Sequence, residues 1–247
     1  MKVIGIIPAR YASTRFPGKP LADINGKSMI LRVYEQCLKS NLDELVVATD
    51  DERIFDHVKS FKGTAVMTSS AHQNGTNRIA EAAKKMKLSA DSIVVNIQGD
   101  EPFISPSDIN LLVDCFTDHT VEIATLIKKI SSTETLMNPN SPKVVVNGKK
   151  QALYFSRAPI PHLKDLEMKN WLKEQDFFQH LGIYAFRYDV LEKIAKLSPS
   201  PLEQAESLEQ LGWMENGFRI QTAETNTESI AVDTKEDLKR IHKKFFS

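Results

Sequence analysis

Short apolar runs recur along the first half of the chain, each closed by a polar or proline-bearing turn and followed by a helical pattern. Residues 3–7 are almost unbroken Val, Ile and Gly up to Pro8, which predicts a strand buried on both faces. Over 28–39 the side chains of Ile30, Val33, Tyr34, Cys37 and Leu38 share one helical face. Residues 44–49 predict a second strand, and Asp50-Asp51 opens a helix marked by Ile54, Val58 and Phe61. A third strand is expected over 64–67 and a polar loop over 69–77, followed by a helix burying Ile79, Ala82, Ala83 and Met86. Residues 93–97 form the next apolar strand. Ser105-Pro106-Ser107-Asp108 then supplies the cap, proline and acid of a helix start, continued by Ile109, Leu112, Val113 and Phe116. Strands alternating with helices over about 120 residues argue for an α/β fold with a mainly parallel sheet covered on both faces.

The middle of the chain changes character. Residues 121–127 alternate like a strand with one covered face. Residues 138–142 are rich in Asn and Pro, and 143–146 and 151–155 read as strands joined around Asn147-Gly148, a hairpin signal. Residues 159–178 are irregular and carry Trp171, Phe177 and Phe178, which suits a subunit contact or a mobile flap. A strand over 180–186, a helix over 201–211, a strand over 217–223 and a closing helix with Leu238, Ile241 and Phe245 complete the pattern.

Composition narrows the class. The chain has 247 residues, enough for a sizeable core without disulfides. Its 32 acidic and 32 basic residues balance, so charge carries no argument for broad nucleic-acid affinity. Cys37 and Cys115 sit in apolar helical patterns and read as buried thiols of a reduced compartment. With no run of about 18 apolar residues and no secretory leader, a cytoplasmic protein without membrane insertion is expected.

Candidate chemistry lies where strands end, since ligands of parallel α/β sheets gather outside the carboxyl ends of the strands. After the first strand come Arg10, Arg15 and Lys19, in a loop stiffened by Pro8, Pro17 and Pro20; fixed positive charge there suits a polyphosphate. After the strand at 93–97 comes Gln98-Gly99-Asp100-Glu101-Pro102, and before the last helix comes Asp233. Cations and carboxylates on one rim suggest phosphates with a divalent metal, with Asp100 and Asp233 as the ligand pair; Mg2+ is held by one or two carboxylates together with substrate phosphates. Each carboxylate also has a plainer reading as a helix or turn cap, and Asp233 opens an ordinary helix start, Asp-Thr-Lys-Glu-Asp. The loop lacks the Gly-Lys-Ser/Thr of a Walker A motif and the Gly-x-Gly-x-x-Gly dinucleotide fingerprint. Gly26-Lys27-Ser28 lacks a preceding glycine run and does not follow the first strand directly.

Across nearly its whole length the chain resembles the 3-deoxy-manno-octulosonate (Kdo) cytidylyltransferase family. The likeness is carried by residues 7–21, 47–50, 72–78, 96–102, 153–157, 180–184, 200–204 with 208–211, and 232–234. It implies a three-layer nucleotidyltransferase fold, with a mainly parallel or mixed sheet and a smaller inserted dimerisation lobe. Residues 1–120 and 211–247 would form the nucleotide and metal core, and 121–210 the sugar-binding and dimerisation lobe. The implied reaction joins CMP from CTP to the anomeric 2-hydroxyl of Kdo, releasing pyrophosphate and CMP-Kdo for lipopolysaccharide, with Mg2+ as cofactor and a homodimer as the assembly. The resemblance places Pro8, Ala9, Arg10, Ser13, Thr14, Arg15, Lys19, Ser69, Gly75 and Asp100 at the nucleotide. Backbone carbonyls near 69–75 would choose cytosine. Arg78, Gln98, Arg157, His180, Tyr184, Glu209 and Gln210 fall in the implied sugar region. Arg78 would pair with the sugar carboxylate, or else is a helix-surface cation. Arg157 would meet an acidic group or hold the site. His180 has the alternative of a hydrogen-bonded core residue, and Tyr184 that of packing. Asn77 departs from the acidic residue usual before the arginine, which puts a local hold on Arg78 in question, and Phe16 replaces a common leucine. A cytidylyltransferase for 8-amino-Kdo or sialic acid is the nearest alternative; a non-catalytic nucleotide-sugar binding module would be expected to lack one of the cations or carboxylates.

Overall fold

In the computed structural model, which describes residues 1–12, 16–72, 74–228 and 230–246, the first strand, β1 (Val3–Ala9), buries its two faces in two different cores. Val3, Ile7 and Ala9 enter one core, Ile4 and Ile6 the other. Side chains alternate across a strand, so a run that is apolar at every position must be covered on both sides. Helices α1 (Met29–Cys37), α2 (Glu52–Ser60) and α4 (Pro106–Asp114) cover the first face through Ile30, Val33, Ile54, Val58, Ile109 and Leu112. Helices α3 (Gly75–Lys85), α7 (Tyr188–Ile194) and α9 (Glu209–Glu215) cover the second through Ile79, Ala82, Leu191, Ile194, Leu211 and Trp213. The layers are helix, sheet, helix, as expected of an α/β chain.

Among the described residues, one nine-stranded sheet holds both halves of the chain. Its order is β11 (Ile220–Glu224), β7 (Ile123–Lys129), β10 (Phe178–Arg187), β6 (Ile93–Asn96), β1, β4 (Glu44–Thr49) and β5 (Ala65–Met67). Strands β6, β1, β4 and β5 are parallel; β10 enters antiparallel between β6 and β7, and β11 runs parallel to β7. The sheet is therefore mixed. β8 (Lys143–Val146) pairs with one end of β10, and β9 (Ala152–Ser156) pairs with β8. The stretch 121–210 thus contributes β7 and β10 to the same sheet as the residues before it.

Several elements differ from the pattern read along the chain. The helix expected over 201–211 is two, α8 (Pro201–Glu206) and α9, because Ser207 takes a left-handed conformation with φ of 50° and turns the axis. Helix α7 follows β10 with no turn residue between, so no punctuation marked it. A small hairpin of β2 (Asp23–Ile24) and β3 (Lys27–Ser28) uses the Gly26-Lys27-Ser28 segment, and Ser28 caps α1. Short helix α6 (Trp171–Glu174) lies in the stretch expected to be irregular, and α5 (Thr133–Met137) lies between the strand over 121–127 and the turn over 138–142, where no element is expected. Trp171 and Phe177 stack on each other, 5.8 Å between ring centroids, in a small core with Ile130 and Leu136. These two aromatics pack inside the chain.

The last helix, α10 (Lys235–Phe245), is fastened by a satellite core of Phe16, Ile24, Met29, Val232 and Ile241. That core ties the C-terminal segment to the loop after β1. It thereby brings residues more than two hundred positions apart onto one rim.

Candidate active site

At the carboxyl end of the parallel strands lies a cavity of about 320 Å³, lined by Pro8, Ala9, Arg10, Lys19, Pro20, His72, Asn74, Gly75, Arg78, Gln98, Gly99, Asp100 and Asp233. A second cavity of about 480 Å³ is lined among others by Asn140, Gln179, His180, Gly182, Tyr184, Ser207, Glu209 and Gln210. Both are of a size that takes small molecules.

The first cavity is built around three charges. Lys19 begins a short 3-10 turn whose preceding residue, Gly18, sits at φ of 72°, and the Gly18 amide closes the basic loop on the Tyr11 carbonyl at 2.9 Å. The turn aims the Lys19 ammonium at Asp100 Oδ2, 2.7 Å away, and Asp233 Oδ1, 3.3 Å away. Asp100 stands beside the end of β1 because Gly99 approaches it closely: a Cβ on Gly99 would lie 2.9 Å from the Pro8 carbonyl oxygen. Asp233 arrives by a backbone bond from the Val232 amide to the Asp100 carbonyl, 2.8 Å. The capping read at Asp233 belongs to other side chains: Asp237 accepts from the Asp233 and Thr234 amides, and Thr234 Oγ1 accepts from the Asp237 amide. Arg10 is exposed on the same rim. Ser13, Thr14 and Arg15 lie outside the described residues.

Two carboxylates that converge on one ammonium mark a point already arranged for a cation. Among the described residues no group of three or more His, Cys, Asp or Glu side chains could hold a metal unaided. A pair of hard oxygen donors facing an open cavity fits Mg2+, which completes its shell with water and substrate phosphate.

Arg78 is placed differently from a free sugar-binding cation. The residue is 3% exposed, and its guanidinium donates to Asp50 Oδ2 at 2.8 Å and Thr68 Oγ1 at 2.7 Å. The hold on Arg78 thus comes from Asp50, at the carboxyl end of β4, and not from position 77. Asp50 was legible only as a helix start, although the strand-end rule that found Asp100 applies to it equally. Ser69 is exposed and is not among the residues lining either cavity; its amide is held by Glu81 Oε2 at 2.9 Å. Gly75 lines the first cavity at the start of α3.

Arg157 lines neither cavity. It donates to the carbonyls of Glu206 (2.6 Å), Pro139 (2.9 Å) and Ser207 (3.1 Å), and so fastens the 138–142 turn to the junction of α8 and α9. Both segments contribute walls to the second cavity.

The remaining sugar-side residues converge on that cavity. The pairing of β10 with β7 slips between Leu181 and Tyr184, a bulge that frees the Gly182 carbonyl from the ladder. Gln98 Nε2, from the first cavity, donates to it at 2.8 Å and bridges the two spaces. Thr125 Oγ1 lies against the same bulge, near the Leu181 and Ile183 carbonyls at 3.2 and 2.8 Å, and 3.0 Å from His180 Nε2. Carbonyls only accept, so the hydroxyl donates to them and accepts from His180, which places the imidazole proton on Nε2. Burial pushes the His180 pKa down to about 3, so the ring is neutral at physiological pH. The Tyr184 hydroxyl and Gln210 Nε2 are buried with no hydrogen-bond partner among the described residues. Such orphans are rare in folded proteins and mark places where a partner is missing. Glu209 is bonded by Thr76 Oγ1 at 2.6 Å, and burial raises its pKa.

The sequence profile of a family described as cytidylyltransferase matches residues 4–229. A 3-deoxy-manno-octulosonate cytidylyltransferase of Parabacteroides distasonis is 53% identical over 97% of this chain and 96% of its own length. One from Geobacter metallireducens is 47% identical over 99% and 98%. A solved structure of CMP:2-keto-3-deoxy-manno-octonic acid synthetase complexed with CTP superimposes with a TM-score of 0.90, at 43% identity, covering 98% of each chain. A cytidylyltransferase from Leptospira borgpetersenii, 22% identical with a TM-score of 0.63, shares the fold. With the profile spanning most of its length and such relatives covering nearly all of it, this chain belongs to the cytidylyltransferase family, among the 3-deoxy-manno-octulosonate cytidylyltransferases.

Proposed function

We propose that the two adjoining cavities transfer CMP from CTP to the anomeric 2-hydroxyl of Kdo, forming CMP-Kdo and pyrophosphate. The observation that carries this reading is their junction at Gln98. On one side stands a cation and carboxylate set at strand ends; on the other, buried hydrogen-bonding groups without partners. The sugar 2-hydroxyl gives up its proton to solvent as its oxygen attacks the α-phosphorus, the bond to the β-phosphate breaks, and pyrophosphate departs. Arg10 and Lys19, joined by Arg15 from the same loop, hold the β- and γ-phosphates and neutralise the leaving group. Lys19 must exchange one or both of its carboxylates for phosphate oxygens to do so. Asp100 and Asp233 would hold Mg2+, whose contribution when bound is to polarise the α-phosphate and offset charge at the reacting centre. Tyr184, Gln210, neutral His180 and Glu209 orient the sugar hydroxyls. The chain's contribution is thus positioning and electrostatics.

Supply of an activated acidic sugar for lipopolysaccharide, in the cytoplasm, is part of the same proposal. No helix among the described residues is long and apolar enough to cross a membrane, which agrees with a catalyst working on water-soluble substrates. A homodimer is supported by β9, whose outer edge pairs with no other strand among the described residues and whose Leu153 is 57% exposed. Light scattering at micromolar concentration tests that assembly. The activity is tested by incubating the purified protein with CTP, Mg2+ and Kdo and following pyrophosphate release, with UTP, 8-amino-Kdo and sialic acid as comparison arms. Turnover of another sugar without turnover of Kdo would overturn the substrate assignment.

A further inference from the structure

Thr76, beside the first cavity, and Glu209, in the wall of the second, lie 133 positions apart yet share a hydrogen bond of 2.6 Å. Thr76 is in the first turn of α3, next to Gly75, which lines the nucleotide-side cavity. Glu209 is the first residue of α9 and lines the sugar-side cavity. Helix α9 starts without local help: its N-cap is Leu208, and no side chain caps it. Helix α3, by contrast, is capped by the Asn74 side chain, which accepts from the Asn77 amide. The better-fixed helix therefore holds the less-fixed one, through the hydroxyl of a threonine that is 3% exposed.

We infer that Thr76 is a positioning residue for the sugar: its hydroxyl holds the Glu209 carboxylate in place from the first turn of the helix that walls the nucleotide site. This rests on the reading of the second cavity as the sugar site. Whatever orders the start of α3 on nucleotide binding then also orders Glu209. The link joins a second one, Gln98 to the Gly182 carbonyl, so the two cavities are tied at both α3 and β6.

The groups that act on or feel the Glu209 charge come from three directions. Thr76 of α3 bonds the carboxylate, Tyr184 of β10 feels its charge, and Glu203 of α8 repels it. Burial raises the Glu209 pKa, the Thr76 bond opposes that rise, and Glu203 adds to it. Removing the hydroxyl deletes an opposing influence, so the Glu209 pKa climbs further. If the carboxylate form serves the sugar, the acidic limb of kcat/KM for Kdo moves to higher pH.

The test compares wild type, Thr76→Val and Thr76→Ser in steady-state turnover of CTP and Kdo across pH. Thr76→Val is expected to raise KM for Kdo roughly tenfold, as loss of a hydrogen bond to a charged group does, with KM for CTP little changed. Its acidic limb shifts upward, and Thr76→Ser restores both. In a Glu209→Gln background, Thr76→Val adds little, because the residue acts through that carboxylate. Should Thr76→Val fold poorly in a thermal melt, Thr76→Ala carries the same expectations. Wild-type values for Kdo KM and the acidic limb in the variant, or equal loss toward both substrates, overturn the inference alone. A wild-type protein that leaves Kdo unreacted overturns the sugar-site reading and this inference with it.

Discussion

In the nucleotide-side cavity Lys19 is tied to Asp100 and Asp233 and Arg78 to Asp50, whereas in the sugar-side cavity the buried Tyr184 hydroxyl and Gln210 amide stand without a partner among the described residues. The difference follows from the free energy of an unpaired group. A buried charge left alone is costly enough to destabilise the fold, so its counter-charge is built in and a ligand must exchange with it. An unpaired neutral hydroxyl or amide costs about 1–3 kcal/mol, which a folded chain can tolerate, and a ligand need only satisfy it. Binding on the first side is therefore an exchange of ions, sensitive to salt and pH. On the second it is completion of an unfinished hydrogen-bond network.

Breaking a built-in pair should have the largest effect. Asp50→Asn leaves the Arg78 guanidinium, whose side chain is 4% exposed, without its anionic partner. The expected loss is about 3 kcal/mol of folding stability, at the low end for a buried pair because Asp50 keeps 16% of its side chain exposed. Urea denaturation reads it as a lower midpoint at unchanged slope. An unchanged midpoint would mean that Thr68 suffices to hold Arg78, leaving only the two Lys19 pairs as built-in ion pairs of the nucleotide side.

Asp100→Asn comes next, and it separates holding from catalysing. The substitution leaves Lys19 with Asp233 and should cost little stability, since the pair is partly solvated. Turnover should fall on the order of a thousandfold, the size of losing several kcal/mol of charge stabilisation at a transferred phosphate. Mg2+ titrations of pyrophosphate release would show the dependence weakened. Turnover and Mg2+ dependence both intact would remove Asp100 from the metal role.

These two regions were also unequally legible in the sequence. Arg10, Lys19 and Asp100 could be located because each follows an apolar run, and the ends of parallel strands are where such folds bind ligands. The sugar-side residues carry no local signal of that kind. His180 and Tyr184 look like ordinary members of a strand, and Glu209 and Gln210 like the last turn of the helix expected over 201–211. They meet because β10 inserts antiparallel into the sheet, bulges after Leu181, and packs against a helix that begins only after the left-handed Ser207. None of those events has an alternation or spacing that reads from one dimension, so those residues entered through family resemblance alone. The role of Asp50 in holding Arg78 was missed for a related reason: a carboxylate at a helix start reads as a cap until its distant partner is seen.

Tyr184→Phe tests the other half of the contrast. It deletes a hydroxyl that has no partner among the described residues, while the ring keeps its contacts with Trp213 and Phe186. The melting temperature should stay level or rise, as removing an unsatisfied polar group relieves a desolvation cost. KM for Kdo should rise up to about tenfold and KM for CTP should not change. A variant that loses stability would show that the hydroxyl is already satisfied in the free protein, and the second cavity would no longer count as unfinished.

The smallest effect expected is a pH dependence confined to the nucleotide side. Burial alone would raise the pKa of Glu81, but bonds from Lys85, the Ser69 amide and His72 outweigh it and hold the carboxyl at about 2, below its ordinary 4.5. A carboxyl depressed on folding stabilises the native state fully above its unfolded pKa, and that contribution fades as pH falls from about 4.5 toward about 2. The Lys85 side chain is 51% exposed, so solvent screening keeps the contribution below about 1 kcal/mol. Glu81→Gln should therefore be less stable than wild type at pH 7 by a few tenths of a kcal/mol or more, with the gap narrowing by pH 3. His180, driven to about 3 by burial, also destabilises the protein as pH falls below the ordinary 6.5 of a histidine, but it does so equally in both proteins and cancels from the difference. A gap that stays constant from pH 7 to pH 3 would make the hold on the 69–75 loop geometric and not ionic. The exchangeable character of the first cavity would then rest on Lys19 with its two carboxylates and on the Arg78–Asp50 pair.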